Sequence, residues 1–428
     1  MINLKSQKII DTIFFSLLLI LLTFYYSTLL LVPFHPDEAT QIYMSSDVEL
    51  IIYDIKSIYL RDDLQDPIKQ NYRLLDSPLT KYSIGIARFI FQKPALTEDW
   101  QWDKSWEENS NALPSTDLLR VARMSTSIFF PGTLFFFYQL TRKIFSKPIA
   151  QISVILFASN SIVFLHTRRA MAEGILLFFL VLTLYCLYTF PNKWSFLTAI
   201  PVALAINAKQ SLIVLAFIAL LILIYQHYRH PKDMLRYITL FSSIILFIFY
   251  LLNPVIWDRP INGITAMIEK RSELTNNQVN AIESVADKFI LNSPLEKIIG
   301  FIAQSFITLP AIQDIGNYQE QLASSEIVYT QYLVHKGISR NIFWGGILFV
   351  FFVLGFLQTL RSKQPQKIFL CFITILFILE VTILFNIPFQ RYYLALYPFI
   401  FLFLAIGLTD FFLKIKTVVN KYTGCFLK

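Results

Sequence analysis

Directly after the first long apolar run comes Pro33-Phe34-His35-Pro36-Asp37-Glu38-Ala39, an adjacent acid pair introduced by proline. If that run spans a bilayer, covalent geometry alone keeps the pair at the membrane surface. One carboxylate there could take a proton from an incoming hydroxyl, acting as a general base. The same residues also suit the first turn of a helix, where acids favour the positive end of the dipole. Spacing alone leaves both roles open.

Cations recur at other helix ends. His166-Thr167-Arg168-Arg169 forms a short polar turn between two apolar runs, and Glu173 follows four residues after Arg169. That spacing permits a helix ion pair between Arg169 and Glu173, leaving Arg168 free beside His166. Lys209 stands at a second such turn and Arg391, in Phe389-Gln390-Arg391-Tyr392-Tyr393, at a third. Basic residues converging from separate turns would suit a phosphate. The same residues would also serve as anchors reaching to lipid headgroups. Glu380 lies inside an apolar run, where a carboxylate is costly and is expected to face the bundle interior.

What must position these residues is a set of membrane helices. The 428 residues are 55% hydrophobic and 15% charged, against about 25% charged in soluble domains. A span needs roughly 20 apolar residues. Ten stretches are candidates, the fifth of them short: 9–32, 118–140, 148–165, 170–190, 194–208, 211–228, 235–252, 341–360, 367–386 and 391–413. The expected fold is an all-α polytopic membrane protein of about ten transmembrane helices. Residues 1–413 form a single transmembrane domain and 414–428 a basic cytoplasmic tail. The first run is too long for an ordinary cleaved signal peptide and reads as a retained helix.

With the N-terminus cytoplasmic, the inner segments carry sixteen lysines and arginines, and the three short outer turns carry four. The positive-inside rule selects that orientation, with both termini cytoplasmic. Two long segments, 33–117 and 253–340, then lie outside and hold 24 of the 29 acids. Within the first, Ser77–Phe91 mixes apolar side chains with Lys81 and Arg88, as an interfacial amphipathic helix does. Trp100, Trp102 and Trp106 follow, placed at the interface or over a cleft. The net charge of +8 is dispersed in short clusters between apolar runs, which argues against a nucleic-acid partner. The three cysteines, Cys186, Cys371 and Cys425, imply no disulfide framework, and no Cys/His spacing suggests zinc.

In this order the motifs resemble the GT-C superfamily of membrane glycosyltransferases, in the branch of protein O-mannosyltransferases and bacterial aminoarabinose transferases. The resemblance rests on His35-Pro36-Asp37-Glu38 and Asp76-Ser77-Pro78-Leu79-Thr80-Lys81-Tyr82, then Arg120-Val121-Ala122-Arg123 and Arg169-Ala170-Met171-Ala172-Glu173. Ala208-Lys209-Gln210-Ser211, Asn253-Pro254-Val255-Ile256-Trp257-Asp258 and Arg391-Tyr392-Tyr393-Leu394-Ala395-Leu396-Tyr397-Pro398 complete it. Where the family often has two prolines this chain has Ser77-Pro78, and many relatives carry more helices or a soluble C-terminal domain.

The resemblance implies inverting transfer of a sugar from a polyprenyl-phosphate donor to a hydroxyl on protein, lipid or glycan. A divalent metal is optional, and the residues do not indicate one. Asp37 matches the family's catalytic acid, with Glu38 beside it. Lys81, Arg168, Lys209 and Arg391 would hold the donor phosphate, supported by His166, Arg169 and Glu173. The absence of an Asn-x-Ser/Thr sequon points toward a bacterial plasma membrane, with the site on the extracytoplasmic side. The alternative from another class is a polytopic transporter or lipid-carrier flippase. That class tends to place polar groups at midplane in broken helices.

Overall fold

The run of apolar residues at the N-terminus forms α1 (Leu4–Ser27), and a 3-10 turn at Leu29–Leu31 leads out of it. In the computed structural model, residues 4–62, 66–286, 289–313 and 316–426 are described. The first long polar segment is no open loop. It holds α2 (Pro36–Met44), α3 (Asp47–Tyr53), α4 (Pro67–Leu75) and α5 (Leu79–Ile90). Pro36 and Pro67 open their helices, where a missing N–H leaves no bond unmade.

Helix α5 occupies the stretch expected to be amphipathic, with an inverted pattern. Its charged Lys81 and Arg88 are buried, while Ile86, Phe89 and Ile90 are exposed. Such a helix has its polar groups paired inside the protein and offers apolar side chains outward.

The run expected to span at 118–140 is two helices, α6 (Thr116–Ser127) and α7 (Phe129–Ile144). At 1.5 Å per residue the 16 residues of α7 rise about 24 Å, short of a hydrocarbon core of about 30 Å. Next come α8 (Lys147–Ala158) and α9 (Ser161–Thr167), bent by 62° at their junction. The side-chain oxygen of Asn160 accepts from the amides of Ile162 and Val163 at 3.0 and 3.2 Å. It therefore caps a new helix where the old one ends.

The chain continues through α10 (Ala172–Thr189), α11 (Ala199–Ala208), α12 (Val214–His227) and α13 (Pro231–Leu252). The expected span at 194–208 is instead a 3-10 stretch, Asn192–Thr198, joined to the ten residues of α11. The second polar segment folds as α14 (Pro260–Ala286), α15 (Pro294–Ile302), α16 (Gln319–Thr330) and α17 (Leu333–Lys336). Three long helices close the chain: α18 (Ile342–Leu360), α19 (Pro365–Leu384) and α20 (Tyr397–Phe426). Helix α20 carries the basic stretch at 414–426 without a break.

Among the described residues, seven helices are long and apolar enough to cross a membrane, or eight if the bent α8–α9 pair is one span. That is fewer than ten, because the stretches at 118–140 and 194–208 are interrupted. Among the described residues there is no strand. The fold is all-helical and polytopic, as expected.

Burial sorts the spans. Two thirds of the apolar window of α10 is enclosed (67%), against 6% in α13 and 11% in α1. Helix α10 is thus central, while α1 and α13 present apolar faces to lipid. Without a hydrophobic drive between helices in lipid, close packing must hold the bundle. At the α18–α20 crossing, Gly355 and Gly407 bring two backbones into contact, and a Cβ at either would strike the other helix.

The two long polar segments meet on one face. Trp100 is buried, donates to the side-chain oxygen of Asn317 at 3.3 Å, and packs on Phe34, Trp106 and Tyr318. This aromatic group lies immediately over the acid pair, for Tyr318 also faces His35 with ring centres 6.0 Å apart.

Candidate active site

The acid pair owes its geometry to the start of α2. His35 is the N-cap, Pro36 the first helical residue and Glu38 the third, and a reciprocal capping box forms. The Asp37 amide donates to His35 Nδ1 at 3.1 Å, and the His35 amide donates to Glu38 Oε2 at 3.1 Å. These bonds satisfy donors that every helix start leaves open. They also turn the two carboxylates apart.

Glu38 points inward and is fully buried. Arg123 of α6 grips it with two donors, Nε to Oε1 and Nη2 to Oε2, both at 2.8 Å. The Ala170 amide adds a third contact at 2.8 Å to Oε1. Arg123 further donates to the carbonyls of Leu29 and Val32, tying the exit of α1 to α6. Burial alone would raise the Glu38 pKa, but the Arg123 guanidinium outweighs it and holds the carboxyl below its usual range. Glu38 is thus an ionised, saturated joint between three parts of the chain.

Asp37 faces the other way and keeps about a third of its side chain exposed (32%). Its Oδ2 is paired with Arg391 Nη1. Arg391 lies in the 3-10 stretch Gln390–Leu396 that enters α20, stacked near Tyr392 with 5.9 Å to the ring centre. Lys209 reaches the same ring from the α11–α12 turn, at 5.6 Å. Lys209 also pairs with Glu173 of α10 at 3.0 Å. Arg391 and the buried His166 act on Glu173 electrostatically as well. Asp37, Arg391, Lys209, Glu173 and His166 therefore form one group, drawn from five separate stretches of chain.

Two of the four cations expected at a donor phosphate lie elsewhere. Lys81 is buried and donates to Asp47 Oδ2 at 2.8 Å, a carboxylate it shares with Arg73. Arg168 is buried and donates to the Phe164 and Thr28 carbonyls, the Thr28 hydroxyl and the Tyr329 hydroxyl. Three aromatic rings, of Tyr25, Phe164 and Tyr329, also surround its guanidinium. Both cations brace the fold; Arg168 stays apart from the group around Asp37, and Lys81 bears on it only electrostatically, through Asp76. The expected Arg169–Glu173 helix pair is replaced too. Helix α10 begins at Ala172, so Arg169 precedes it, donates to the Ile312 carbonyl, and leaves Glu173 to Lys209.

Residues that sequence reasoning did not assign to the site complete it. Three and four residues after Asp37, Thr40 and Gln41 share its face of α2. The Thr40 hydroxyl donates to Asp99 Oδ1 at 2.7 Å, and Gln41 Nε2 donates to Asp76 Oδ2 at 3.1 Å. Burial raises the Asp76 carboxyl above its usual range, and the charge on Asp37 adds to the effect. Burial raises Asp99 in the same sense, against hydrogen bonds from Tyr72 and Thr40 that lower it. The signal was available in part, because the i, i+3, i+4 spacing of Asp37, Thr40 and Gln41 marks one polar helix face. Among the described residues, no three His, Cys, Asp or Glu side chains are grouped so as to hold a metal ion.

Residues 117–257 match the family described as dolichyl-phosphate-mannose-protein mannosyltransferase. That stretch includes Arg123, Glu173 and Lys209 and excludes Asp37, Asp76 and Arg391. The apo crystal structure of the Archaeoglobus fulgidus oligosaccharyltransferase is similar at 15% identity with a TM-score of 0.51, covering 96% of this chain and 52% of that protein. The structure of the same enzyme with zinc and sulfate aligns at 14% identity with a TM-score of 0.43, covering 82% of this chain and 42% of that one. The chain spans about half the length of the oligosaccharyltransferase it matches. No curated protein sequence matches it.

Proposed function

Starting from a chain that resembles the GT-C glycosyltransferases both in its matched mannosyltransferase segment and in its fold, we propose that it is a membrane glycosyltransferase. Its donor is a sugar on a polyprenyl phosphate and its acceptor a hydroxyl on protein, lipid or glycan. The observation that carries this reading is the pairing of Asp37, partly exposed, with Arg391, while Lys209 lies against the same tyrosine ring.

Transfer needs two things at one point: a base for the acceptor proton and cations for the departing phosphate. In the proposed step, the acceptor oxygen attacks the anomeric carbon from the face opposite the phosphate. Asp37 takes its proton. The bond from C1 to the phosphate oxygen breaks, and the electron pair leaves with the polyprenyl phosphate. Configuration at C1 inverts. Arg391 and Lys209 oppose the charge that develops on the leaving group, which is worth most when the donors are fixed beforehand. An arriving donor phosphate would draw Arg391 from Asp37 and so uncover the base only when donor is bound. Glu38 and Arg123 keep Asp37 at the protein surface without taking part in the chemistry.

A divalent ion is compatible with this scheme, and no step depends on one. The basic asymmetry of sixteen to four, counted over the ten expected apolar runs, supports an extracytoplasmic site with both termini in the cytoplasm, and the absence of an Asn-x-Ser/Thr sequon supports a bacterial membrane. A transporter would be expected to carry its polar groups at midplane. Here Asp37, Glu173, Lys209 and Arg391 gather at one end of the bundle.

The test is direct. Cells lacking the protein should accumulate a polyprenyl-phosphate sugar detectable by mass spectrometry. The purified protein in detergent should release polyprenyl phosphate from that lipid only when an acceptor is added. An unchanged pool of such lipids, together with no release in vitro, would overturn the reading.

A further inference from the structure

At the end of the bundle opposite Asp37 the structure has an open polar cavity. Helices α12 and α13 run between the two ends. Lys209 precedes α12 and Asn253, which donates to Asn207 at 2.8 Å, follows α13, so both mark the Asp37 end. His227 and Pro231 mark the other, about 27 Å away for the 18 residues Gln210–His227. There an open cavity of about 720 Å³ lies between the 3-10 stretch at 192–198, the end of α12 and the start of α13.

Its lining has the chemistry of an anion site. Lys193 and Arg229 both face it, and among the described residues neither has a carboxylate within ion-pair distance. Arg229 is held in place by its neighbour, donating from Nε to the Tyr228 hydroxyl at 2.8 Å with its guanidinium 5.5 Å from that ring. This leaves both terminal nitrogens of the fork without a protein partner among the described residues. Tyr225 is stacked on Tyr228, and Tyr237 packs against His227, whose ring nitrogen is in hydrogen-bond reach of Ser195 and the Asn192 carbonyl. One acid, Asp233, also lines the cavity and reduces its positive charge.

We propose that this cavity binds the phosphate-bearing headgroup of an anionic membrane lipid on the face opposite the Asp37 site. A fork of guanidinium nitrogens and an ammonium suit phosphate oxygens. Tyrosine rings suit the boundary between chains and headgroups. The volume exceeds that of a lone phosphate, and the cavity is open at the level of the helix ends, where headgroups lie. This site does not rest on the glycosyltransferase reading.

The test uses the full-length protein, stripped of lipid in detergent and titrated with phosphatidylglycerol, with native mass spectrometry to count retained lipids. Each direct hydrogen bond to the phosphate is worth a factor of about five, so Lys193→Gln with Arg229→Gln should weaken retention roughly thirtyfold. Asp233→Asn should tighten it. Lys232→Gln with Arg236→Gln removes equal charge from the same end without touching the lining, and should change retention little. The proposal is overturned if both double variants lose lipid equally, or if neither does. Competition by millimolar inorganic phosphate as strong as that by phosphatidylglycerol would also overturn it, by making the ligand free phosphate.

Discussion

Replacing Glu38 with glutamine should unfold the site from beneath, and its cost can be worked from the contacts. Oε1 accepts from Arg123 Nε and the Ala170 amide, and Oε2 accepts from Arg123 Nη2 and the His35 amide. Glutamine keeps one oxygen and puts an NH2 group where the other stood. Two donors then face a third donor, and the charge on Arg123 is left buried without a counterion. Breaking a buried ion pair from one side costs about 3–5 kcal/mol, well above the roughly 1 kcal/mol of a helix cap. Chemical unfolding in detergent, followed by tryptophan fluorescence, should show that loss, with Trp100 close above the site as reporter. The pH dependence supplies a second check. The Glu38 carboxyl is held below its ordinary value of 4.5 by Arg123, so its stabilisation is present above that pH and fades as pH falls below it. Glu38→Gln should remove that part of the acid sensitivity. A variant that loses less than about 1 kcal/mol, with acid unfolding unchanged, would refute the buried-joint assignment.

Other perturbations separate the site from its supports. Lys209→Ala and Arg391→Ala should each raise the apparent KM for the polyprenyl-phosphate donor about tenfold or more, since a charged phosphate contact is worth about 1.5–3 kcal/mol. Normal donor dependence in both would return them to the role of interface anchors. Lys81→Ala and Arg168→Ala should instead lower stability, by about 3 kcal/mol or more, because each leaves buried acceptors unmet. A change confined to donor KM, with unfolding unaltered, would contradict their placement. Asp76→Asn should leave stability unchanged or slightly higher, since burial and the charge on Asp37 raise its carboxyl and oppose ionisation. The sign is that a raised acid destabilises the fold as pH rises through its pKa. Thermal unfolding followed upward in pH from the ordinary carboxyl value of 3.8 would show it, and a marked loss of stability in the variant would contradict the sign.

How much was legible in the sequence depended on distance along the chain. The all-helical membrane fold was legible because apolar runs need no partner to be recognised. The placement of Asp37 at a helix start was legible because Pro36 and Glu38 fix it locally. Lys81 and Arg168 were not, since each has the type and position of a phosphate ligand. Each is engaged instead by a residue far along the chain, Lys81 by Asp47, 34 residues away, and Arg168 by Tyr329, 161 residues away. Asp99 was missed for the converse reason, because its partner Thr40 lies 59 residues back on another helix. Ten runs do not appear as ten unbroken helices, because short-range capping, as at Asn160, or a 3-10 stretch, as at 192–198, interrupts an apolar run. Hydropathy does not register such interruptions.

The central claim is that Asp37 is the base, and Asp37→Asn tests it most directly. The amide is nearly isosteric and can still bond to Arg391, but it cannot take a proton from a hydroxyl at neutral pH. Loss of a positioned base costs about 10²–10⁴-fold in rate. Turnover should be measured with purified donor and acceptor in detergent, alongside donor binding by the same preparation. The account predicts a fall in kcat of at least a hundredfold with donor binding retained or improved, since Arg391 is then freer to meet the phosphate. A variant with near-normal kcat would contradict it.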